Sequence, residues 1–170
     1  MLSKRMQEAL NAQINAEYYS AYLYLAMAAH AEATNLKGFA NWFRIQNQEE
    51  MVHVMKFFAY VHDRRGKVEL TAIKAPPTAW SSPVDMFEAT LKHEQLVTGM
   101  INDLADAARE ERDNATYSML EWFITEQVEE ESAADEILQQ LKLIGNEPSG
   151  LYLLDRDLAT RVFVPPPAAA

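Results

Sequence analysis

The chain has 170 residues, 49% of them hydrophobic and 24% charged, which suits one globular domain with its own core and calls for no second one. Its formal net charge of −10 argues against nucleic acid or an anionic membrane surface as partner and favours cations. With no cysteine there is no disulfide, thiolate zinc site, iron–sulfur ligation or cysteine nucleophile, so any metal must be held by oxygen and imidazole.

The first residues, 1–12, lack a basic segment followed by an apolar one, and no uninterrupted run of about 18 apolar residues occurs. A soluble cytoplasmic protein is expected. Apolar residues recur at three- and four-residue spacing through long segments, which predicts an all-α protein. Ser3 reads as the N-cap of helix 1, which runs to about Ala33 with Leu10, Ile14, Glu17, Ala21, Tyr24 and Ala28 on one face. Helix 2 is expected over about 36–65, with Phe39, Phe43, Gln46, Glu50, His53, Phe57 and Tyr60 on its stripe and Gly66 as its left-handed stop.

Residues 66–82 hold Gly66, Pro76, Pro77 and two serines without a helical period, and so read as a long connection. At about 3.3 Å per residue it can run back along a helix of about 45 Å, which allows helices 2 and 3 to lie parallel. Helix 3 starts at Ser82-Pro83, with Phe87, Leu91, Glu94, Thr98, Ile101, Ala105 and Ala108 on its stripe. After a polar turn at 112–114, helix 4 continues to about Ile144 and stops at Gly145. Its stripe is Leu120, Phe123, Gln127, Glu130, Ala134, Ile137 and Leu141. A short fifth helix capped by Ser149 would carry Leu151, Leu154, Leu158 and Val162, with a packing or assembly role, and residues 165–170 read as a flexible tail to a domain spanning 1–164.

Acidic and metal-competent residues repeat at one offset. Glu17 and Glu94, Glu49 and Glu126, Glu50 and Gln127, and His53 and Glu130 are each separated by 77 positions. Each half therefore reads as a helical hairpin with a carboxylate on its first helix and an (i, i+3) polar pair on its second, the layout that surrounds two metal ions in a four-helix bundle. Glu17, Glu50, His53, Glu94, Gln127 and Glu130 all occupy stripe positions where an aliphatic residue is expected. Four buried carboxylates with no lysine or arginine on the same stripes require cations or protons, and two divalent ions would neutralise them. Hard oxygen donors with one imidazole favour iron or manganese, with zinc also able to fit; iron is preferred because an oxygen-rich site stabilises Fe³⁺.

Glu49, Glu126 and Glu129, with Glu130 shared, form a second acidic group beside the first or else a solvated acidic face. Tyr24, two turns from Glu17, is positioned to donate to a ligand carboxylate or an electron, or simply to pack. Trp122 reads chiefly as packing, and His93 points away from the stripe. Glu110, Glu111 and Asp113 near the helix 3–4 turn are candidates for lining an iron inlet.

Glu17-x6-Tyr24, Gln48-Glu49-Glu50-Met51-Val52-His53, His93-Glu94-Gln95, Glu126-Gln127-Val128-Glu129-Glu130-Glu131 and the fifth helix at Gly150-Leu151-Tyr152 together resemble the ferritins, specifically the haem-free bacterial ferritins. The resemblance implies a ferritin-like four-helix bundle with a long helix 2–3 crossover and a short C-terminal fifth helix. It also implies a homo-oligomeric shell of twenty-four subunits that stores iron as a ferric mineral. It assigns Glu17, Glu50 and His53 to a first ferroxidase iron and Glu50, Glu94 and Glu130 to a second, with Gln127 adjacent and Tyr24 as a nearby redox-active tyrosine. Glu49, Glu126, Glu129 and Glu130 would form a third iron site. The implied activity is oxidation of Fe²⁺ to Fe³⁺ with dioxygen or hydrogen peroxide. The alternative is a di-iron or di-manganese oxidase or peroxidase that stores no mineral. Met51 stands where bacterioferritins place a haem-ligating methionine, but the helix 4 pair is Gln127 and Glu130 rather than E-x-x-H, so haem is not expected.

Overall fold

The computed structural model describes residues 1–165. All regular structure among them is helical: α1 (Lys4–Ala33), α2 (Lys37–Asp63), α3 (Pro83–Glu110), α4 (Asn114–Ile144) and α5 (Pro148–Leu158). The expected tail, 165–170, lies outside the described residues apart from Pro165. No helix among the described residues is long and apolar enough to cross a membrane.

Local chemistry sets the helix ends. Ser3, Ser82 and Asp113 each accept from a backbone N–H three residues on, as N-caps do. Asn35, Arg65 and Arg112 each adopt a positive φ, of 62°, 59° and 56°. The backbone N–H of the residue after each donates to the carbonyl five residues back, Leu36 to Ala31, Gly66 to Val61 and Asp113 to Ala108, closing three Schellman caps. Gly66 thus follows the left-handed residue of α2 instead of being it. A Cβ there would lie 3.0 Å from the Val61 carbonyl oxygen, a tight approach, although Leu36 and Asp113 carry side chains at the equivalent positions. Ser149 likewise falls inside α5, which opens with Pro148 at its first position, and Val162 lies beyond the helix and is exposed.

The hairpins α1–α2 and α3–α4 pack against each other, and α5 lies on α2 and α4. Arg5 at the start of α1 bonds Glu110 at the end of α3, and Arg64 at the end of α2 makes a forked pair with Asp113 at the start of α4. Hence α1 is antiparallel to α3, α2 is antiparallel to α4, and α2 and α3 run parallel. The connection between α2 and α3 makes this possible by lying along α1: Asn11 holds Lys67 and Glu69, Asn15 holds Thr71 and Ala72, and Trp80 packs edge-on against His30.

The apolar core is split in two. One cluster, built on Tyr24, Phe39, Phe43, Phe87 and Leu138, lies at the α5 end; the other, built on Leu10, Phe57, Ile101, Leu120 and Phe123, lies at the opposite end. The layer between them is polar.

Candidate metal centre

Glu17 from α1, Glu50 and His53 from α2, Glu94 from α3, and Gln127 and Glu130 from α4 fill that middle layer, none of them more than 7% exposed. The (i, i+3) spacing sets Glu50 beside His53 and Gln127 beside Glu130 on inward faces, and the flanking apolar clusters fix the helices that carry them. Glu17, Glu50 and His53 bring ligand atoms within 4.8 Å of one another; His53, Glu126 and Glu130 form a second such group. His53 Nδ1 lies 3.2 Å from Glu50 Oε2 and 3.8 Å from Glu17 Oε2, and its ring is held edge-on between Trp122 and Phe123.

Neutral donors hold the carboxylates. The Tyr24 hydroxyl donates to Glu94 Oε1, and Gln127 Nε2 donates to Glu94 Oε2 at 3.2 Å. Gln13 Nε2 donates to Glu17 Oε1 and Gln46 Nε2 to Glu130 Oε2, each at 2.7 Å. Glu17 Oε2 is buried without a hydrogen-bond partner. A buried carboxylate oxygen left unpaired is costly, and a cation there would satisfy it.

The electrostatics point the same way. Burial pushes Glu50 well above the usual carboxylate range, with the Glu94 and Glu17 charges adding to the push against His53. Burial and the Glu94 charge raise Glu130 to about 8, and burial raises Glu94. For Glu17 burial is outweighed by His53 and Gln13, which hold it below its ordinary value. His53 is itself pushed up, because Glu17 and Glu50 overcome its burial. Burial and Glu94 raise the Tyr24 hydroxyl well above 10. Among the described residues no lysine or arginine pairs with Glu17, Glu50, Glu94 or Glu130. The layer is thus built to exchange protons for metal cations, and its donors suit iron.

The outer acids are less uniform. Glu126 is half-buried and joins His53 and Glu130, whereas Glu49 is drawn to Arg161 at 2.8 Å and Glu129 is exposed. His93 turns towards α1, its Nε2 2.8 Å from Ser20 Oγ, and joins neither group. Asp113 is committed to capping α4 and to Arg64. Three contributors escaped the sequence reading. Gln13 had a signal, lying four residues before Glu17 on the same face; Gln46 stands on the α2 stripe with no chemical signal of its own; Arg161 lies outside every helical period.

The ferritin-like domain family matches residues 7–144. The chain belongs to the ferritin family. It is similar to the bacterial non-heme ferritin of Staphylococcus aureus (strain MRSA252), 42% identical over 163 residues that cover 96% of this chain and 98% of that one. The bacterial non-heme ferritin of Staphylococcus saprophyticus is also 42% identical over the same coverage. Among solved structures, the open pore ferritin of the hyperthermophilic archaeon Archaeoglobus fulgidus is 49% identical and superposes with a TM-score of 0.95, covering 95% of this chain and all of that one. An engineered closed form of the same ferritin matches at 49% identity and a TM-score of 0.95 over 96% of this chain and all of that one. Ferritin membership and the two ligand groups together make this a ferroxidase-type metal centre.

Proposed function

We propose that this ferritin is an iron store and detoxifier that oxidises Fe²⁺ within each bundle and deposits Fe³⁺ as mineral inside a closed shell of twenty-four cytoplasmic subunits, residues 1–164 acting as one unit. Iron is substrate and cargo. The first Fe²⁺ is taken by Glu17, Glu50 and His53 and the second by Glu50, Glu94 and Glu130, with Glu50 between them. Glu49, Glu126, Glu129 and Glu130 take a third. The observation that carries this reading is the convergence of Glu17, Glu50 and His53 within 4.8 Å in a buried layer where Glu17 Oε2 has no other partner.

The protein binds and orients, and the redox change belongs to iron and its oxidant, dioxygen or peroxide. Tyr24 and Gln127 aim Glu94, and Gln46 aims Glu130. Protons held on Glu50 and Glu130, both raised by burial, leave as Fe²⁺ arrives, which limits the build-up of charge in the layer. Apolar side chains left uncovered on the single subunit, among them Tyr22, Leu25, Leu70, Leu96 and Tyr152, support homo-oligomeric assembly.

Stepwise aerobic Fe²⁺ titration of the metal-free protein, followed by size exclusion, tests the reading. A fast phase saturating at two or three irons per chain, with far more iron then retained on a very large particle, is expected. Fast oxidation with only those few irons retained would instead mark a di-metal oxidase without storage.

A further inference from the structure

After α5 the chain turns back along one stripe of α2. Asn41 Nδ2 donates to the carbonyls of Leu158, at 3.1 Å, and Arg161, at 2.9 Å, which pins the backbone. The Arg161 side chain then passes over the Trp42 ring, its guanidinium carbon 4.9 Å from the centroid, and forks. One nitrogen donates to Gln46 Oε1 at 2.6 Å and the other to Glu49 Oε2 at 2.8 Å. Beyond it, Phe163 and Val164 form one wall of a cavity of about 250 Å³ whose other walls are Glu49, Val52, His53, Trp122 and Glu126. This strap therefore roofs the passage between the outer acids and His53.

The geometry points to Arg161 as a tethered counter-cation of the outer acidic group: it holds Glu49 in the metal-free protein, and a divalent ion binding at Glu49, Glu126 and Glu130 displaces it and lifts the 161–164 strap from the passage to His53. The inference rests on the reading of those acids as a third iron site.

Three features support it. Glu49 is the one buried or half-buried member of the outer group that does not join His53, Glu126 and Glu130, and its oxygen is the one Arg161 engages. A divalent ion outcompetes a guanidinium at the same carboxylate because it carries twice the charge and approaches to about 2.0–2.2 Å. Arg161 also fixes the Gln46 amide: with Oε1 accepting from Arg161, Nε2 must face Glu130, where it donates at 2.7 Å. Loss of Arg161 frees that amide to turn, so occupancy of the outer group is felt at Glu130. Arg161 is thus a positioning residue acting through Glu49 and Gln46.

The test uses the assembled protein and redox-inert Zn²⁺. Anaerobic binding isotherms are recorded for wild type, R161A, R161Q and R161K. R44A is the charge control, since Arg44 pairs with Glu32 away from the centre. The third Zn²⁺ should bind about tenfold tighter in R161A and R161Q than in wild type or R44A, the worth of a charged hydrogen-bonded contact that no longer competes. R161K, which keeps the charge without the fork, should fall between them. In wild type, hydrogen exchange of the 161–164 amides should quicken when the third ion is added and not before.

Three ions in wild type, with R161A binding the last no tighter than R44A does, would overturn the inference and leave the third site standing. So would strap amides that exchange equally with two and three ions bound. Two ions in both wild type and R161A would remove the third site itself, and this inference with it.

Discussion

The Tyr24 hydroxyl, buried on α1, donates to Glu94 Oε1 on α3 and so ties a carboxylate of one hairpin to a side chain of the other. Y24F removes this donor without emptying the space the ring fills. Glu94 would then keep only Gln127 as a side-chain donor, and the metal-free protein should lose about 1–2 kcal/mol of stability. Denaturant unfolding in the presence of chelator measures this. The second Fe²⁺ should also bind more weakly, and its oxidation slow, because Glu94 is less well aimed. A Y24F protein that unfolds and oxidises iron like wild type would reduce Tyr24 to packing.

His53 is the shared member of both ligand groups, and Glu130 is the member linked to Gln46. H53A and E130A should each slow the fast phase of iron oxidation by more than about tenfold, as stopped-flow absorbance would show. Both should also lose most of the Zn²⁺-induced rise in melting temperature, an independent readout of binding. For wild type, that rise corresponds to about 2.7 kcal/mol when free ion stands at a hundred times its Kd. Wild-type oxidation in both variants would remove these residues from the mechanism.

The pH dependence has a definite sign. In the unfolded chain Glu130 titrates near its ordinary 4.5, whereas burial and Glu94 raise it to about 8 in the folded metal-free protein. Between these values the folded state holds the extra proton, so the stability this group confers is complete below about pH 4.5 and is lost as pH rises through 8. Glu50 and His53, also raised, act in the same direction. Calorimetry in chelator should therefore show the melting temperature falling from pH 6 to pH 8, with a shallower fall in E130Q. Zn²⁺ binding at pH 7 should release protons, visible as binding enthalpies that depend on the buffer. A melting temperature that climbs across the window, with no proton release, would mean the layer is already ionised.

What could be read in advance follows from periodicity. The 77-residue offset put Glu17, Glu50, His53, Glu94, Gln127 and Glu130 on inward stripes because a carboxylate on an apolar face is conspicuous. The same logic placed the long connection, since proline and serine break the helical period. It failed where contacts are non-local or steric. Arg161 meets Glu49 across 112 residues and belongs to no stripe. Gly66 was expected to hold the left-handed position of the α2 cap, yet Arg65 holds it. The glycine stands one residue later, where an added Cβ would come within 3.0 Å of Val61. Gln46 looks like any polar residue on a stripe until Glu130 is placed beside it.

The docking of α5 depends on Asp155 and Gly38. No side chain of its own caps the start of α2; instead the Asp155 Oδ1 accepts from the Gly38 N–H at 2.8 Å and the Phe39 N–H at 3.1 Å. A carboxylate at a helix N-terminus is favoured by both hydrogen bonding and the helix dipole, so D155A should cost about 1–2 kcal/mol. G38A should be worse, since its methyl would sit 1.6 Å from the Asp155 carbonyl oxygen, a backbone atom that can yield only if α5 lifts away. Lifting α5 uncovers Leu154 and Leu158 and withdraws the anchor of the Arg161 strap. G38A should therefore melt earlier than D155A and show a lower native mass, while circular dichroism still reports most of the four long helices. A G38A protein with wild-type melting and mass would show that α5 is not needed to hold the α2 end of the bundle or the assembly.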